Sequence, residues 1–386
     1  MTNAKISYKQ LAVLLVLSRI FSEGADFRAV EAGYSMQRFT VILVSNIILF
    51  LLYLPLIFLV NKRPSENVIS VISEKSRALG WLCGLFIVLS LLTGAVSAIC
   101  SSSLYSSSTV LAEAPLYLLV ILPLAVCGIA AWKGIQGSAR SGVLFGAVFV
   151  IFIIFIMLSV WERFNWEWLY PEFLEEPEQF FGQVVRQLGR NSELLAFAVL
   201  MEYVDKKAAY TVYWYIPSVM ILQVLKLLLQ MIVLGPFLDI TTFPFFTISA
   251  LSDIVLFQRI DGINVSVWVL MCIVKVTVAL LCTRTVFTRL VGEKTGKWSV
   301  WAGAAAVASA SLLIGNSSSF TVGLDGISSS WIILILGGLL IPIAALIAVK
   351  INRKERGATR EKSGEAYCSY IVGCIIQRLH TPHRAG

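Results

Sequence analysis

The stretch QLAVLLVLSRIFSEGAD, residues 10–26, decides the fold because it begins as an apolar helix and ends in a polar break. Residues 11–17 are all apolar, as expected of a helix that crosses a membrane. Arg19, Glu23 and Asp26 follow, although each ionisable group inside a bilayer costs several kcal/mol. The combination predicts a span that is interrupted near its centre, an arrangement that forms substrate sites in many transporters.

Two interpretations of this break remain open. Serine and glycine within it can leave backbone N–H groups outside the helix, where they would face a ligand carboxylate. Alternatively, Arg19 and Glu23 are four residues apart and form an ion pair along one helical face. On the first interpretation the ligand contacts are Ser22, Glu23, Gly24 and Ala25, with Arg19 and Asp26 as buried gating groups.

The composition of the whole chain agrees with a membrane protein. Of its 386 residues, 58% are hydrophobic and 14% are charged, and the mean hydropathy is +0.82. Soluble domains carry about 25% charged residues, whereas one helical span needs about 20 apolar residues. We therefore predict an all-α membrane protein whose ten spans lie near residues 9–30, 39–60, 79–100, 112–131, 141–160, 191–204, 210–234, 263–283, 298–316 and 331–350.

The basic residues indicate an orientation in the membrane rather than a nucleic-acid-binding surface. Most of the 31 Lys and Arg residues fall in short segments on one side of the membrane if both termini are cytoplasmic. This distribution supports an even number of spans. It also argues against a nucleic acid partner despite the net charge of +8, and leaves the lipid bilayer as the expected partner.

Motifs for catalysis or metal binding are missing from the sequence. The seven cysteines are scattered without a CxxC pair, and the two histidines are His380 and His383 near the C-terminus. The sequence contains no phosphate-binding loop and no nucleophile elbow. We therefore expect no enzyme activity, no cofactor and no metal site.

The chain is predicted to form two domains. Residues 1–350 are the transmembrane domain, and residues 351–386 are a basic cytoplasmic tail. Within the first domain, residues 161–190 combine Trp and Glu residues in a way that suits the outer membrane surface. Residues 235–262 are too polar to span the membrane and are expected to form a re-entrant or surface hairpin.

The sixth span is short and ends in a glutamate. Phe197 and Met201 precede Glu202, and all three are candidates for contact with a ligand. The Glu202 carboxylate would bind an ammonium group of the ligand, or a proton. The alternative is that Glu202 marks the membrane edge and pairs with Lys206 and Lys207, which follow it.

The seventh and eighth spans each contain a lysine. Gln223, Lys226 and Gln230 share one helical face, and Lys275 is isolated in the eighth span. Each lysine could contact a ligand, or it could be the buried partner of a carboxylate such as Glu23.

The third span contains a run of small residues at positions 94–98, Gly-Ala-Val-Ser-Ala. Small residues allow two helices to pack closely. The alternative is a ligand site, in which Ser97 would be the polar contact.

Residues 242–283 resemble a hallmark stretch of the spore-germinant-receptor B subunits, the GerAB-like spore germination proteins. The matching residues are Phe243, Pro244, Arg259, Asp261, Trp268 and Lys275. The turn from Trp132 to Arg140 and the opening at Lys5 also resemble this family. The similarity covers most of residues 5–350, although the first span lacks the proline that usually ends its break in the family.

The family is similar to amino acid–polyamine–organocation transporters. The resemblance implies a LeuT-like fold of two inverted five-helix repeats, with a ligand cavity between spans one, three, six and eight. It also implies an A-type membrane subunit and a C-type lipoprotein as partners, a small nutrient ligand such as an amino acid, and the inner membrane of a bacterial spore, with both termini on the spore-core side. The alternatives are a proton- or sodium-coupled amino acid transporter, and a structural receptor subunit whose site is filled by Arg19 and Glu23.

Overall fold

The computed structural model describes residues 5–24, 36–169, 177–204, 207–241, 243–252, 261–315, 317–328 and 330–351. Nearly all of this part of the chain is helical. Its β structure is limited to an isolated parallel bridge between Ile6 and Val204.

The helices follow one another with short connections. In chain order the α-helices of the described ranges are α1 Tyr8–Gly24, α2 Gln37–Lys62, α3 Val68–Lys75, α4 Arg77–Thr109, α5 Leu116–Lys133, α6 Ile135–Ser159, α7 Pro177–Gly189, α8 Glu193–Leu200, α9 Ala209–Leu234, α10 Pro244–Ala250, α11 Asp261–Leu290, α12 Glu293–Ile314, α13 Ser318–Ser328 and α14 Trp331–Leu334. The 3₁₀ turns are Trp161–Arg163, Trp166–Leu169, Met201–Tyr203 and Gly235–Ile240.

Eight helical segments of the described residues are long and apolar enough to cross a membrane. They correspond to the predicted spans two to five and seven to ten. The first and sixth predicted spans are the exceptions: α1 has 17 residues and α8 has 8. At about 1.5 Å per residue, α8 reaches less than half way across a bilayer core. The two spans with unusual sequences are therefore the two without a described helix long enough to cross a membrane.

The polar break in the first span does not interrupt the helix where it was predicted. Ser22, Glu23 and Gly24 are α-helical, so their backbone N–H groups are not released toward a ligand. In a bilayer no water replaces a lost backbone hydrogen bond, and this favours the helix even across serine and glycine. Ala25 and Asp26 lie outside the described residues.

Two short helices were not predicted. The helix α3 buries Val68, Ile69, Val71 and Ile72 and packs against α4, and α13 also packs against α4. The segments predicted to lie on the outer surface contain 3₁₀ turns together with α7 and α10. Their position relative to the membrane stays a prediction, and residues 352–386 of the predicted tail lie outside the described ranges.

The helices α1 and α11 form the centre of the bundle. The helix α1 packs against α6, α9 and α11, and α11 packs in addition against α4, α5 and α12. The connection after α5 is fixed by Gly134, which has a φ of 103°, and by Arg284, whose Nη1 donates to the carbonyl oxygens of Ala131 and Trp132 at 2.8 Å. This is the Trp132–Arg140 turn of the sequence, where a left-handed glycine ends one helix and a cation satisfies its last carbonyls.

The last span contains a π-helical turn. The helix α14 continues through the π turn Ile335–Leu340 into residues 341–351. A Cβ atom added at Gly337 or Gly338 would overlap the side chain of Leu195 or Leu194, respectively. The π turn thus places two glycines directly against α8.

Candidate functional site

A charged pair lies where α1, α8 and α11 meet. Nζ of Lys275 is 3.4 Å from Oε1 of Glu193, and it donates to the hydroxyls of Ser22 at 2.5 Å and Ser192 at 3.4 Å. The hydroxyl of Ser18 donates to the same carboxylate oxygen at 2.7 Å. Three helices thus supply one cation, one anion and three hydroxyl groups at a single point.

Glu193 is incompletely satisfied in this position. Its side chain is 1% exposed, and its Oε2 atom accepts no hydrogen bond from the residues that the structure describes. Glu193 is the first residue of α8, and the positive end of the helix dipole stabilises a carboxylate there. The second oxygen is therefore an acceptor that remains available to an added donor.

A central cavity lies beside this pair. It is formed by α1, α4, α11 and α13 and has an empty volume of about 360 Å³. An adjoining space shares Gly94, Ser192 and Lys275 with it and extends to Glu193. The polar residues that line it are Ser22, Ser97, Ser101, Arg190, Ser192, Lys275, Asp325 and Ser328.

Gly94 opens this cavity rather than closing a helix contact. The residue is buried, yet a Cβ atom placed on it would meet no described atom within 4 Å. The interpretation of residues 94–98 as a close contact between helices therefore does not hold at Gly94 itself, while Cys272 of α11 contacts the carbonyl of Ala98 at 3.5 Å. Ser97, one turn further along α4, lines the same cavity.

The predicted ion pair between Arg19 and Glu23 is present in α1. Nη2 of Arg19 also donates to the carbonyl of Gln187 at 3.1 Å. The amides of Gln187 and Gln223 each donate to Oε1 of Glu23 at 3.1 Å, and Asn46 donates to Gln223 at 2.8 Å. Four helices are thus joined by one polar network, which occupies a different position from the Glu193–Lys275 pair.

The two lysines have different partners. Nζ of Lys226 donates to the backbone carbonyl of Glu23 at 2.5 Å, whereas Lys275 pairs with Glu193. Gln223, Lys226 and Gln230 all line one cleft, as their spacing predicted. The interpretation of a lysine as a buried partner for a carboxylate holds for Lys275, with a different carboxylate from the one suggested.

Glu202 is held in place by hydrogen bonds from two other parts of the bundle. Its Oε2 accepts from Asn67 at 2.7 Å and from Nε of Arg289 at 3.0 Å. Its cation is therefore Arg289 of α11 and not Lys207. Phe197 and Met201 are fully buried in the core and do not line the central cavity, which places them away from the proposed ligand.

The family motif builds an aromatic wall. The ring centroid of Trp268 lies 4.9 Å from that of Phe21 and 5.5 Å from that of Tyr105. The ring of Phe243 packs edge-on against Tyr105, with a distance of 5.1 Å between the centroids. A Cβ atom on Gly24 would overlap the Trp268 ring. Gly24 is therefore needed because an indole packs directly against the backbone of α1.

The same motif anchors the short helix α10. Pro244 is its first residue, and Asn264 donates to the carbonyl of Phe245 at 3.3 Å and to Ser249 at 3.0 Å. Asp261 begins α11, and Arg259 lies outside the described residues.

Sequence reasoning missed several residues of these networks. The missed residues are Asn46, Gln187, Arg190, Ser192 and Glu193. Glu193 could have been found, because it is an ionisable residue inside the predicted span 191–204. Asn46 lies inside the second predicted span, Gln187 and Arg190 in the predicted outer segment and Ser192 at the start of the sixth span, and nothing in their spacing indicates these contacts.

Comparisons with known proteins agree with this architecture. A family model described as "Spore germination protein" (Spore permease) matches residues 5–319. No curated protein matches the sequence. Among solved structures, the substrate-bound outward-open state of a Na⁺-coupled sialic acid symporter is similar with a TM-score of 0.64 and 11% identity, and the match covers 90% of this chain and 89% of the symporter.

The structural match confirms the predicted all-α, LeuT-like fold, and the family model confirms the resemblance to the spore germination proteins. The chain is a multi-pass membrane protein of permease type, and it belongs to the spore germination protein family.

Proposed function

We propose that this protein is the membrane-embedded B subunit of a nutrient-germinant receptor, located in the inner membrane of a bacterial spore with both termini on the core side. A small nutrient such as an amino acid binds in the central cavity, and the altered conformation is passed to an A-type membrane subunit and a C-type lipoprotein. The observation that carries the proposal is the Glu193–Lys275 pair beside an unfilled cavity.

An amino acid zwitterion complements this pair. The ammonium group of Lys275, which donates to the hydroxyls of Ser22 and Ser192, offers a donor to a ligand carboxylate. The Oε2 atom of Glu193 offers an acceptor to a ligand ammonium. An unsatisfied buried acceptor costs about 1–3 kcal/mol, so a ligand that donates to Glu193 removes part of this cost.

The cavity also explains how binding could change conformation. A ligand shifts an equilibrium only when it binds one conformation more tightly than another. The ligand groups would join α1, α8 and α11 more firmly than the 3.4 Å contact between Lys275 and Glu193 does. The conformation with these three helices drawn together is therefore the one that the ligand stabilises.

A substitution in intact spores tests the proposal. The variant Lys275→Met removes the cation and keeps the length of the side chain, while Lys350→Met removes an exposed lysine from the end of the last span as a matched control. With each protein as the sole copy in the spore, the loss of optical density is followed against the concentration of each amino acid. We expect no response from Lys275→Met at wild-type protein level and a normal response from Lys350→Met. A normal response from Lys275→Met would refute the site.

Coupled transport is the second candidate, favoured by the similarity to a sodium-coupled symporter. Uptake of labelled amino acids by the purified protein in liposomes separates the two functions. Accumulation driven by a proton or sodium gradient would establish transport. Binding without accumulation supports a sensor, and absence of both would indicate a structural subunit without a working ligand site.

A further inference from the structure

A second internal space lies between α1, α6, α9 and α11, and it is almost entirely apolar. Its empty volume is about 570 Å³, including the part that opens to the surroundings. It shares no described lining residue with the central cavity. We call it the apolar cavity, and the side chains that characterise it are Ile20, Phe152, Leu225, Phe245, Trp268 and Met271.

Three polar side chains line the apolar cavity among the described residues, and two of them already have partners. Nζ of Lys226 donates to the carbonyl of Glu23, and the amide nitrogen of Asn264 donates to three acceptors in α4 and α10. The third is Trp268, whose indole N–H has no acceptor among the described residues although its side chain is only 7% exposed. A buried donor without an acceptor destabilises the fold, and an oxygen atom placed beside it removes that cost.

The apolar cavity lies close to the surface that faces the lipid. The helices α6 and α9 are both long and apolar enough to cross a membrane. Ile154 of α6 and Ile221 of α9, which are next to lining residues in the sequence, are exposed, whereas Leu222 and Leu225 are half-buried. Because the bilayer core is hydrocarbon, the molecules that meet this surface are alkyl chains.

The size and the lining of the apolar cavity are those of a ligand site. Such sites commonly have volumes of about 300–1,000 Å³, an apolar wall and a few polar groups that fix the orientation of the ligand. A space lined by apolar side chains is filled by apolar molecules rather than by water. An alkyl chain would add dispersion contacts with these side chains, and an oxygen on the chain would accept from the indole of Trp268.

We propose that the apolar cavity binds a straight alkyl chain that carries an oxygen acceptor, and that this oxygen accepts a hydrogen bond from Nε1 of Trp268. The chain is the ester-linked acyl chain of a membrane lipid or a free molecule of the same chemistry, since both present an alkyl chain and a carbonyl oxygen. The ring of Trp268 also contacts the ring of Phe21, which lines the central cavity. The two sites are therefore linked by one aromatic contact, although the apolar cavity does not depend on the role in germination.

The test uses the full chain purified in a sterol-based detergent, which has no alkyl chain of its own. Its thermal unfolding midpoint is measured against straight-chain methyl ketones of increasing length and against alkanes of equal length, and native mass spectrometry detects lipid that stays bound. For a free ligand we expect a saturable rise in the midpoint, with an affinity that increases with chain length until the cavity is filled. A retained phospholipid assigns the site to a lipid acyl chain.

Matched variants of α9 locate the effect. Leu225→Trp fills the apolar cavity, whereas Ile221→Trp adds the same ring at an exposed position of the same helix. Affinity for the ketone, or retention of the lipid, should fall about tenfold or more in the first and stay unchanged in the second. Leu222→Phe, at a half-buried lining position, serves if Leu225→Trp does not fold. Equal binding by the two tryptophan variants would overturn the proposal.

A variant of Trp268 tests the hydrogen bond. Trp268→Phe keeps an aromatic ring and removes the N–H, so affinity for the ketone should fall about fivefold while affinity for the alkane of equal length does not. Equal losses for the two ligands would overturn the role of the indole. The absence from the wild type of both a saturable rise and a retained lipid would overturn the site itself, because other residues of this chain would then fill the space.

Discussion

Glu202 and Glu193 are both buried carboxylates near the ends of the same short helix, and their surroundings differ. Oε2 of Glu202 accepts from both Asn67 and Arg289, and nearby the N–H of Ile6 donates to the carbonyl of Tyr203 at 2.9 Å. Glu193 has one oxygen without a partner among the described residues and lies beside a cavity. The contrast separates a contact that holds the bundle together from one that is left open for a ligand.

Substitutions of the carboxylates near the two ends of α8 should therefore have different effects on stability and on binding. Loss of a fully bonded carboxylate leaves its partners unsatisfied, so the cost falls on the free energy of unfolding. Loss of a group that faces a cavity costs little stability, because few contacts are broken, and it removes binding instead. Sites for ligands are commonly maintained at some expense of stability.

The largest effect on stability is expected from Glu202→Ala. It leaves Arg289 and Asn67 without their acceptor, and we expect a loss of about 2–3 kcal/mol, at the low end for a buried pair because the Arg289 side chain is 40% exposed. Denaturant unfolding in detergent measures this loss. The control Glu293→Ala breaks a pair with Lys297 in which both side chains are exposed, and should change stability little. Equal losses in the free energy of unfolding for the two variants would mean that Glu202 stabilises the fold no more than an exposed ion pair does.

The next largest effect is expected from Gly24→Ala. The new methyl group would overlap the Trp268 ring, and overpacking of this kind costs about 1–3 kcal/mol. The double variant with Trp268→Leu should recover part of the loss, since it removes the ring. Gly137→Ala in α6 is the matched control, because its Cβ would meet no described atom within 4 Å. If Gly24→Ala unfolds like wild type, the contact between Trp268 and α1 is not tight.

A smaller effect on stability, with a large effect on the response, is expected from Glu193→Gln. The substitution keeps the shape and the bond from Ser18 but weakens the attraction to Lys275. We expect a smaller loss in the free energy of unfolding than for Glu202→Ala, because the amide oxygen can keep the bond from Ser18 and Oε2 has no partner to lose. Spores that carry this variant should lose the response to an amino acid. A destabilisation as large as that of Glu202→Ala would make the Glu193–Lys275 pair structural instead.

The smallest effect is expected from Gly94→Ala. Alanine favours a helix over glycine by about 1 kcal/mol, and the added methyl group enters open space. Stability should therefore be equal to wild type or slightly higher, while the concentration of amino acid needed for germination rises because the cavity is smaller. Gly137→Ala should give the same gain in stability without any change in the response. Identical dose–response curves for Gly94→Ala and wild type would place the ligand elsewhere.

The long spans could be predicted from the sequence because hydropathy over about 20 residues is a strong pattern. The short helices α3 and α13 could not, since 8 and 11 residues are too few for such a window. The Arg19–Glu23 pair could be predicted because the two residues are four positions apart in one helix. The same local spacing gave no information about how distant helices face one another.

The central pair illustrates that limit. Lys275 and Glu193 are 82 residues apart, so no periodicity joins them and only the packing of α8 against α11 does. Glu202 had two lysines close to it in sequence, yet it pairs with Arg289, which lies 87 residues away. Ser22, Ser97 and Lys275 were expected near the ligand and do line one cavity, whereas Phe197 and Met201 face the core. Their roles in binding stay predictions.

The π turn in the last span has a consequence for movement within the bundle. Gly337 and Gly338 leave no room for a Cβ atom against Leu195 and Leu194, which follow Glu193 directly in α8. Interiors packed at this density transmit displacement rather than absorb it. A rotation of α8 that followed a change at Glu193 would therefore turn the tenth span with it and displace the C-terminal end of that helix. The central cavity is in this way mechanically linked to the point where the C-terminal tail begins.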